Sequence, residues 1–259
     1  MEFRQSTLEE IIESEGQMVL LAKTRYGEFY SNAIACSIFL SNCIAGVDHS
    51  RMMFGRFLAL TKKHHMLAVL STVRLHRVQA MMNLRQVLEA GAAAAFAIAN
   101  PENRHFAETN KQGILDASPE LAKKRYRWLS KHYRTKSDWI RDAKDRINEW
   151  AAHANVVSSE RVFRVDQDGV VANTPFFDVE DDYLVKTDLW QSAAVALELM
   201  DLFYGVNIRS DFITFHADFA RHMERLARTT DALLDEQKAS ERYKGAMARL
   251  AAAGIMPGS

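Results

Sequence analysis

Apolar residues recur three and four positions apart along most of this chain, the spacing that turns one helical face toward a core. Ser6-Thr7-Leu8-Glu9-Glu10 reads as a helix start, with acids in the first turn where the helix dipole favours them. A second helix is predicted from about Thr24 to Gly46. VDHSRMM then makes a turn, and Ser50 caps a long segment that stops at Asn100-Pro101. Ser118-Pro119-Glu120 restarts helix with a cap, a proline and an acid, and that helix runs to about Tyr133. Ser137-Asp138 opens the next. Helix resumes near Asp181, runs to about Val206, and a last long helix begins at Ser210-Asp211.

One stretch breaks the helical period. RVFRVDQDGVVANTPFF places β-branched and aromatic residues on both sides of Asp166-Gln167-Asp168-Gly169, the pattern of a β-hairpin near 161–177. With no internal repeat and no linker, the expected fold is an all-α, multi-helix bundle of long helices with that small insertion. It forms one domain over 1–259, with N-terminal helices in 1–48, a core in 50–206 and a long C-terminal helix in 210–250. Phe212, Phe219, Leu226 and Leu233 recur every seven residues in that last helix, a seam for a bundle neighbour or a second subunit.

Composition sharpens this picture in three places. Only 11 Gly and 4 Pro in 259 residues favour long helices, and 48% hydrophobic residues supply a sizeable core. Lys and Arg total 33 against 33 Asp and Glu, so no global charge draws the chain to nucleic acid or to an anionic membrane; only local patches can. Cys36 and Cys43 stand seven apart, about 10.5 Å along a helix, beyond the roughly 4.4–6.8 Å a disulfide spans. They read as buried free thiols of a reducing compartment. The acidic N-terminus is unlike a signal peptide, and the longest apolar stretch, AIACSIFLSNCIAGV, falls short of the roughly twenty residues of a spanning helix. A cytoplasmic protein without a membrane partner is expected.

Two clusters carry candidate chemistry. Arg85 and Glu89, four apart, share a face with Val78, Met81, Ala92 and Phe96. A charged pair on a mainly apolar face is a buried ion pair, the lining of a pocket or a plainly exposed surface pair. DRINEWAAHANV, residues 145–156, carries the second cluster. Arg146 and His153 point within about 20° of each other, beside Trp139, Ala143 and Trp150, while Arg141, Lys144 and Asn148 point away. An imidazole at such an apolar edge can titrate near neutrality. The plain alternative has Glu149 holding His153 as an ordinary i, i+4 partner. KKRYRWLSKHYRTK, residues 123–136, is basic and aromatic: a surface for RNA phosphates and bases, or a solvated face around a buried Trp128.

Other chemistry lacks its residues. Glu102-x-x-His105 occurs without the second copy that a di-iron bundle needs, and His64 and His65 diverge by about 100° on a helix. No glycine-rich phosphate loop, nucleophile elbow or zinc-spaced cysteine set is present. No metal or cofactor is therefore expected.

Two resemblances add expectations. The Arg146-x6-His153 spacing resembles the Arg-x4–6-His pattern of HEPN ribonucleases and toxins. It implies that Arg146 and His153 act on an RNA phosphodiester at a homodimer interface. LRQVLEAGAAAAFAIANPE followed by INEWAAHANV resembles a bacterial, DUF5677-like helical family over roughly 65–206, with Arg85, Glu89 and His153 at the matching positions. That resemblance implies a fold and positions but no reaction. The expected function is a helical binding or regulatory module, stress- or defence-associated, with Arg85, Glu89 and Asn148 as binding residues. The alternative is a HEPN-like, metal-independent ribonuclease or toxin with His153 as general acid/base and Arg146 or Arg85 steadying phosphate charge. A second copy and an RNA or protein partner are expected. Either site lies where the Arg85/Glu89 helix meets the His153 helix.

Overall fold

Among the described residues eight helices, α1 (Leu8–Asn42), α2 (Met52–Val73), α3 (Arg77–Ala99), α4 (Pro119–His132), α5 (Arg134–Ala151), α6 (Asp182–Asn207), α7 (Phe219–Ala239) and α8 (Glu241–Ala252), build an all-α bundle. The computed structural model describes residues 2–4, 6–109, 113, 115–116, 118–151, 159–160, 162–165, 171–173, 175–208 and 211–254. Short strands join the helices: β1 (Glu2–Arg4), β2 (Ile44–Val47), β3 (Glu108–Thr109), β4 (Leu115–Asp116), β5 (Arg164–Val165), β6 (Val171–Asn173) and β7 (Ile213–Phe215). Among the described residues no helix is long and apolar enough to cross a membrane.

Helix α3 is the centre. From Ala90 to Ile98 every residue is buried, so this stretch is apolar all round, the mark of a helix enclosed by others. It packs on α2, α4, α5 and α6. Gly91 permits the closest approach: a Cβ there would stand 2.6 Å from both methyl carbons of the fully buried Leu199 on α6. Helix α1 lies across α2 and α6, and α7 closes the bundle against α1 and α6.

Several helix ends follow the expected chemistry. The Thr7 side chain accepts from the Glu10 backbone while the Glu10 carboxylate accepts from the Thr7 N–H at 2.8 Å, a reciprocal cap on α1. Ser118 caps α4 with Pro119 behind it, and Asp181 caps α6. The expected hairpin forms as well: β5 and β6 pair antiparallel, Arg164 opposite Asn173 and Val165 opposite Ala172, and β1 joins β6 in parallel. Its expected turn, Asp166-Gln167-Asp168-Gly169, lies outside the described residues.

Other boundaries differ from the pattern. The first two helices merge into α1, with a break at Gly27 (φ 54°, ψ −127°), a conformation only glycine adopts readily. The long segment to Asn100 folds back on itself as α2 and α3. Its turn is a Schellman motif, in which the His76 N–H donates to Ser71 O and the Leu75 N–H to Thr72 O. Leu75 takes the left-handed position usually held by glycine, at φ 59°, because its side chain is buried in the core. Asp178 straps this turn, donating its N–H to Leu75 O and accepting from the Arg77 N–H. Asp48 rather than Ser50 caps the start of the turn before α2, accepting from the Ser50 N–H at 2.8 Å.

The residues after α1 and before α7, expected as helix, instead pair as the ribbon β2–β7. Buried Asn207 enforces it, accepting from the N–H groups of Phe212 and Ile213 and donating to Ile213 O. Phe212 therefore sits off the last helix, under the Arg51 guanidinium at 3.4 Å. The rest of the seam, Phe219, Leu226 and Leu233, is buried within this chain's own bundle. The C-terminal helix is also two: Ser240 ends α7 and caps α8. Cys36 and Cys43 are free and buried, and burial pushes their thiols up to about 12 and about 11.

Candidate functional site

Helix α5 presents a different face to each of two grooves. Lys123, Tyr126 and Arg127 occupy i, i+3 and i+4 of α4, so they share one face. Arg141, Lys144 and Asn148 occupy i, i+3 and i+7 of α5 and meet them across the α4–α5 junction. Arg85 of α3 completes a cleft of about 700 Å³. Five cations line it, Arg85, Lys123, Arg127, Arg141 and Lys144, against the two acids Glu120 and Asp145.

Its polar network starts from Glu89. The Lys144 ammonium stands 3.0 Å and the Arg85 Nε 3.2 Å from the same carboxylate oxygen of Glu89. Arg85 also donates to the Asn148 side-chain oxygen, and Lys144 donates to the Tyr126 hydroxyl at 2.9 Å. Partial burial pushes the Glu89 carboxyl up, but Lys144 and then Arg85 outweigh it and hold the group below its ordinary range. Burial alone would lower Lys144; its bonds to Tyr126 and Glu89 raise it instead. The outer cations are less committed. Lys123 pairs with Glu120 at 2.7 Å and Arg141 with Asp138 at 3.0 Å, whereas Arg127 has no ionic partner among the described residues.

The opposite face of α5 carries Trp139, Ala143, Arg146 and Ile147, at i, i+4, i+7 and i+8. They line a groove of about 410 Å³ whose other wall is α6 and whose floor is Arg77 and Met81 of α3. The Arg77 guanidinium grips Asp188 with two bonds, Nε to Oδ2 at 2.7 Å and Nη2 to Oδ1 at 3.2 Å. Burial works against the Arg77 charge, and Asp188 more than restores it. Trp190 lines the groove while its indole N–H is spent on Thr230 O at 3.0 Å.

The expected site residues thus divide. Arg85, Glu89 and Asn148 come together in one network. Arg146 is exposed and belongs to the other groove, as its shared face with Trp139 and Ala143 implied. His153, and with it the Glu149–His153 pairing, lies outside the described residues, as does the Trp150 side chain. The Arg85–Glu89 pair is not the buried ion pair considered from the sequence. Its side chains keep 38% and 36% of their exposure, because the pair lies at a cleft rather than under a helix. The buried pair is Arg77–Asp188, at 23% and 4%. Its partners stand 111 positions apart, so no local spacing announces it. Lys144 and Tyr126 were likewise legible only as members of a solvated or basic face. Among the described residues, no three His, Cys, Asp or Glu side chains gather in a way that could hold a metal ion.

Comparison of the chain with protein-family models, with curated proteins and with solved structures finds no match.

Proposed function

We propose that this chain is a helical binding module whose α4–α5 cleft takes the phosphate groups of RNA. The observation that carries the proposal is the convergence of five cationic side chains on one cleft, with Arg127 free of any ionic partner among the described residues. An unpaired guanidinium at a cleft is suited to two parallel hydrogen bonds to a phosphate. Tyr126 beside it supplies a ring on which a base can stack. The whole chain is charge-balanced, so attraction must be local, and the lining of this cleft sets five cations against two acids.

The test is fluorescence anisotropy of a labelled uridine 12-mer over a salt series. The wild type should bind with a log–log salt slope that scales with the phosphates engaged, about −0.7 for each on a single strand. Arg127→Gln should weaken binding and flatten that slope by about one such contact. No binding at low salt, or equal affinity of wild type and Arg127→Gln, would overturn the proposal.

A second reading, a HEPN-type ribonuclease acting through Arg146 and His153, draws on an exposed Arg146 that also has no ionic partner among the described residues. It requires a second copy of the chain. Cleavage of the same RNA that His153→Ala abolishes without lowering the melting temperature supports it. Intact RNA after incubation with wild type, or a 29.4 kDa monomer at every concentration in sedimentation, removes it.

A further inference from the structure

Helices α5 and α6 both pack on α3, and an ion-pair cluster clamps them together at one end. There the Lys136 ammonium bridges Glu198 at 2.6 Å and Asp201 at 2.5 Å. Toward the other end the two helices carry small residues, Ala143 on α5 and Ala194 on α6, and the groove opens between them. Two indoles from facing helices, Trp139 and Trp190, line it together with Met81, Ile147 and Val195. Apolar walls with a few convergent polar groups are the usual form of a small-molecule site.

The polar groups narrow the ligand. Arg77 is engaged by Asp188 through two bonds, so the pair is close to neutral. Trp190 has given its one donor to Thr230. Thr187 gives its hydroxyl to Tyr183 O, and Arg146 remains as one guanidinium without an ionic partner among the described residues, beside the uncharged Gln191 and a mainly aromatic and aliphatic surface. We propose that this groove binds a planar aromatic carboxylate, its ring between Trp139 and Trp190 and its carboxylate on Arg146. A ligand with two negative charges is disfavoured because Arg146 alone faces it as a cation without an ionic partner among the described residues. The groove is separate from the α4–α5 cleft, so this site stands or falls independently of RNA binding.

The experiment titrates the full chain with 4-nitrobenzoate, whose nitroaromatic ring quenches indole fluorescence, and in parallel with uncharged 4-nitroanisole. Saturable quenching by the acid is expected. Arg146→Gln should weaken 4-nitrobenzoate about tenfold, the scale of one charge-assisted hydrogen bond, and leave 4-nitroanisole unchanged. Ala194→Phe should fill the groove and remove saturable quenching by both probes, while Arg127→Gln changes neither. Quenching that only rises linearly with concentration would overturn the site. So would saturable quenching that Arg146→Gln leaves unaltered, and because Arg146 is exposed that variant decides even if Ala194→Phe lowers the melting temperature.

Discussion

Helix α3 carries two arginines eight residues apart, each bonded to a carboxylate, and the two pairs live in different surroundings. Arg85 reaches Glu89 on its own helix, four residues on, with both side chains more than a third exposed. Arg77 reaches Asp188 on another helix, and that carboxylate is 4% exposed. Water screens the first pair and leaves its groups able to turn toward a ligand. Protein encloses the second, which then acts as a bolt between α3 and α6. One helix thus offers a pliant network to the cationic cleft and a rigid floor to the aromatic groove.

Removing the bolt should give the largest effect. Asp188→Ala leaves the Arg77 guanidinium without its partner in a site only 23% exposed, and should cost about 3 kcal/mol, the lower end of the range for breaking a buried pair. Urea unfolding measures it, and a loss under about 1 kcal/mol would make the two pairs equivalent.

A buried group whose charged form is disfavoured by burial extends the contrast. His65 on α2 is fully buried; its Nε2–H donates to Ser192 O at 2.9 Å, while Nδ1 has no partner among the described residues. Burial holds its pKa below the ordinary value. Below about pH 6.5 the unfolded chain therefore takes up a proton that the folded one refuses, so stability is complete above that pH and lost as pH falls. The slope from this one group is at most about 1.4 kcal/mol per pH unit. Unfolding at pH 7.5, 6.5 and 5.5 should show a shallower acid limb in His65→Gln than in wild type. Identical limbs would mean that His65 accepts its proton without opening the core.

The smallest effect belongs to the exposed pair. Glu89→Ala should cost under about 1 kcal/mol at low salt and less in 1 M salt, where the Debye length is about 3 Å. Because the folded Glu89 carboxyl sits below its ordinary range, its contribution is present above about pH 4.3 and disappears as pH falls through the folded value. A salt-insensitive loss near that of Asp188→Ala would show that the cleft is closed in solution.

Legibility in the sequence followed how local each determinant is. The start of α1 at Ser6-Thr7, the Ser118-Pro119 start of α4, the start of α6 near Asp181 and the hairpin each depend on residues a few positions apart, and each appears as read. The turn at Leu75 was invisible because nothing in the local sequence marks a left-handed residue. A leucine holds that position since its buried side chain and the strap from Asp178, about a hundred positions away, offset the local strain. Asn207 bends the chain into β7 through the bonds of a single amide, where the sequence pattern began the last helix at Ser210-Asp211. In the candidate site, Arg85, Glu89 and Asn148 were readable as polar positions on two helices. That the face of α5 carrying Lys144 and Asn148, and not the one carrying Arg146, meets Arg85 and Glu89 was set by how α5 packs on α3.

By itself, then, the sequence determined the helical class, the starts of α1, α4 and α6, the hairpin, the two buried thiols and the set of residues sharing each face of α5. These follow from short-range backbone sterics, capping and a period of 3.6 residues, which involve no distant partner. The tertiary structure alone decided which face meets which neighbour, which arginine is buried and where the two grooves open. Those outcomes depend on contacts between residues tens to a hundred positions apart, and periodicity says which side chains share a face without saying what that face will touch.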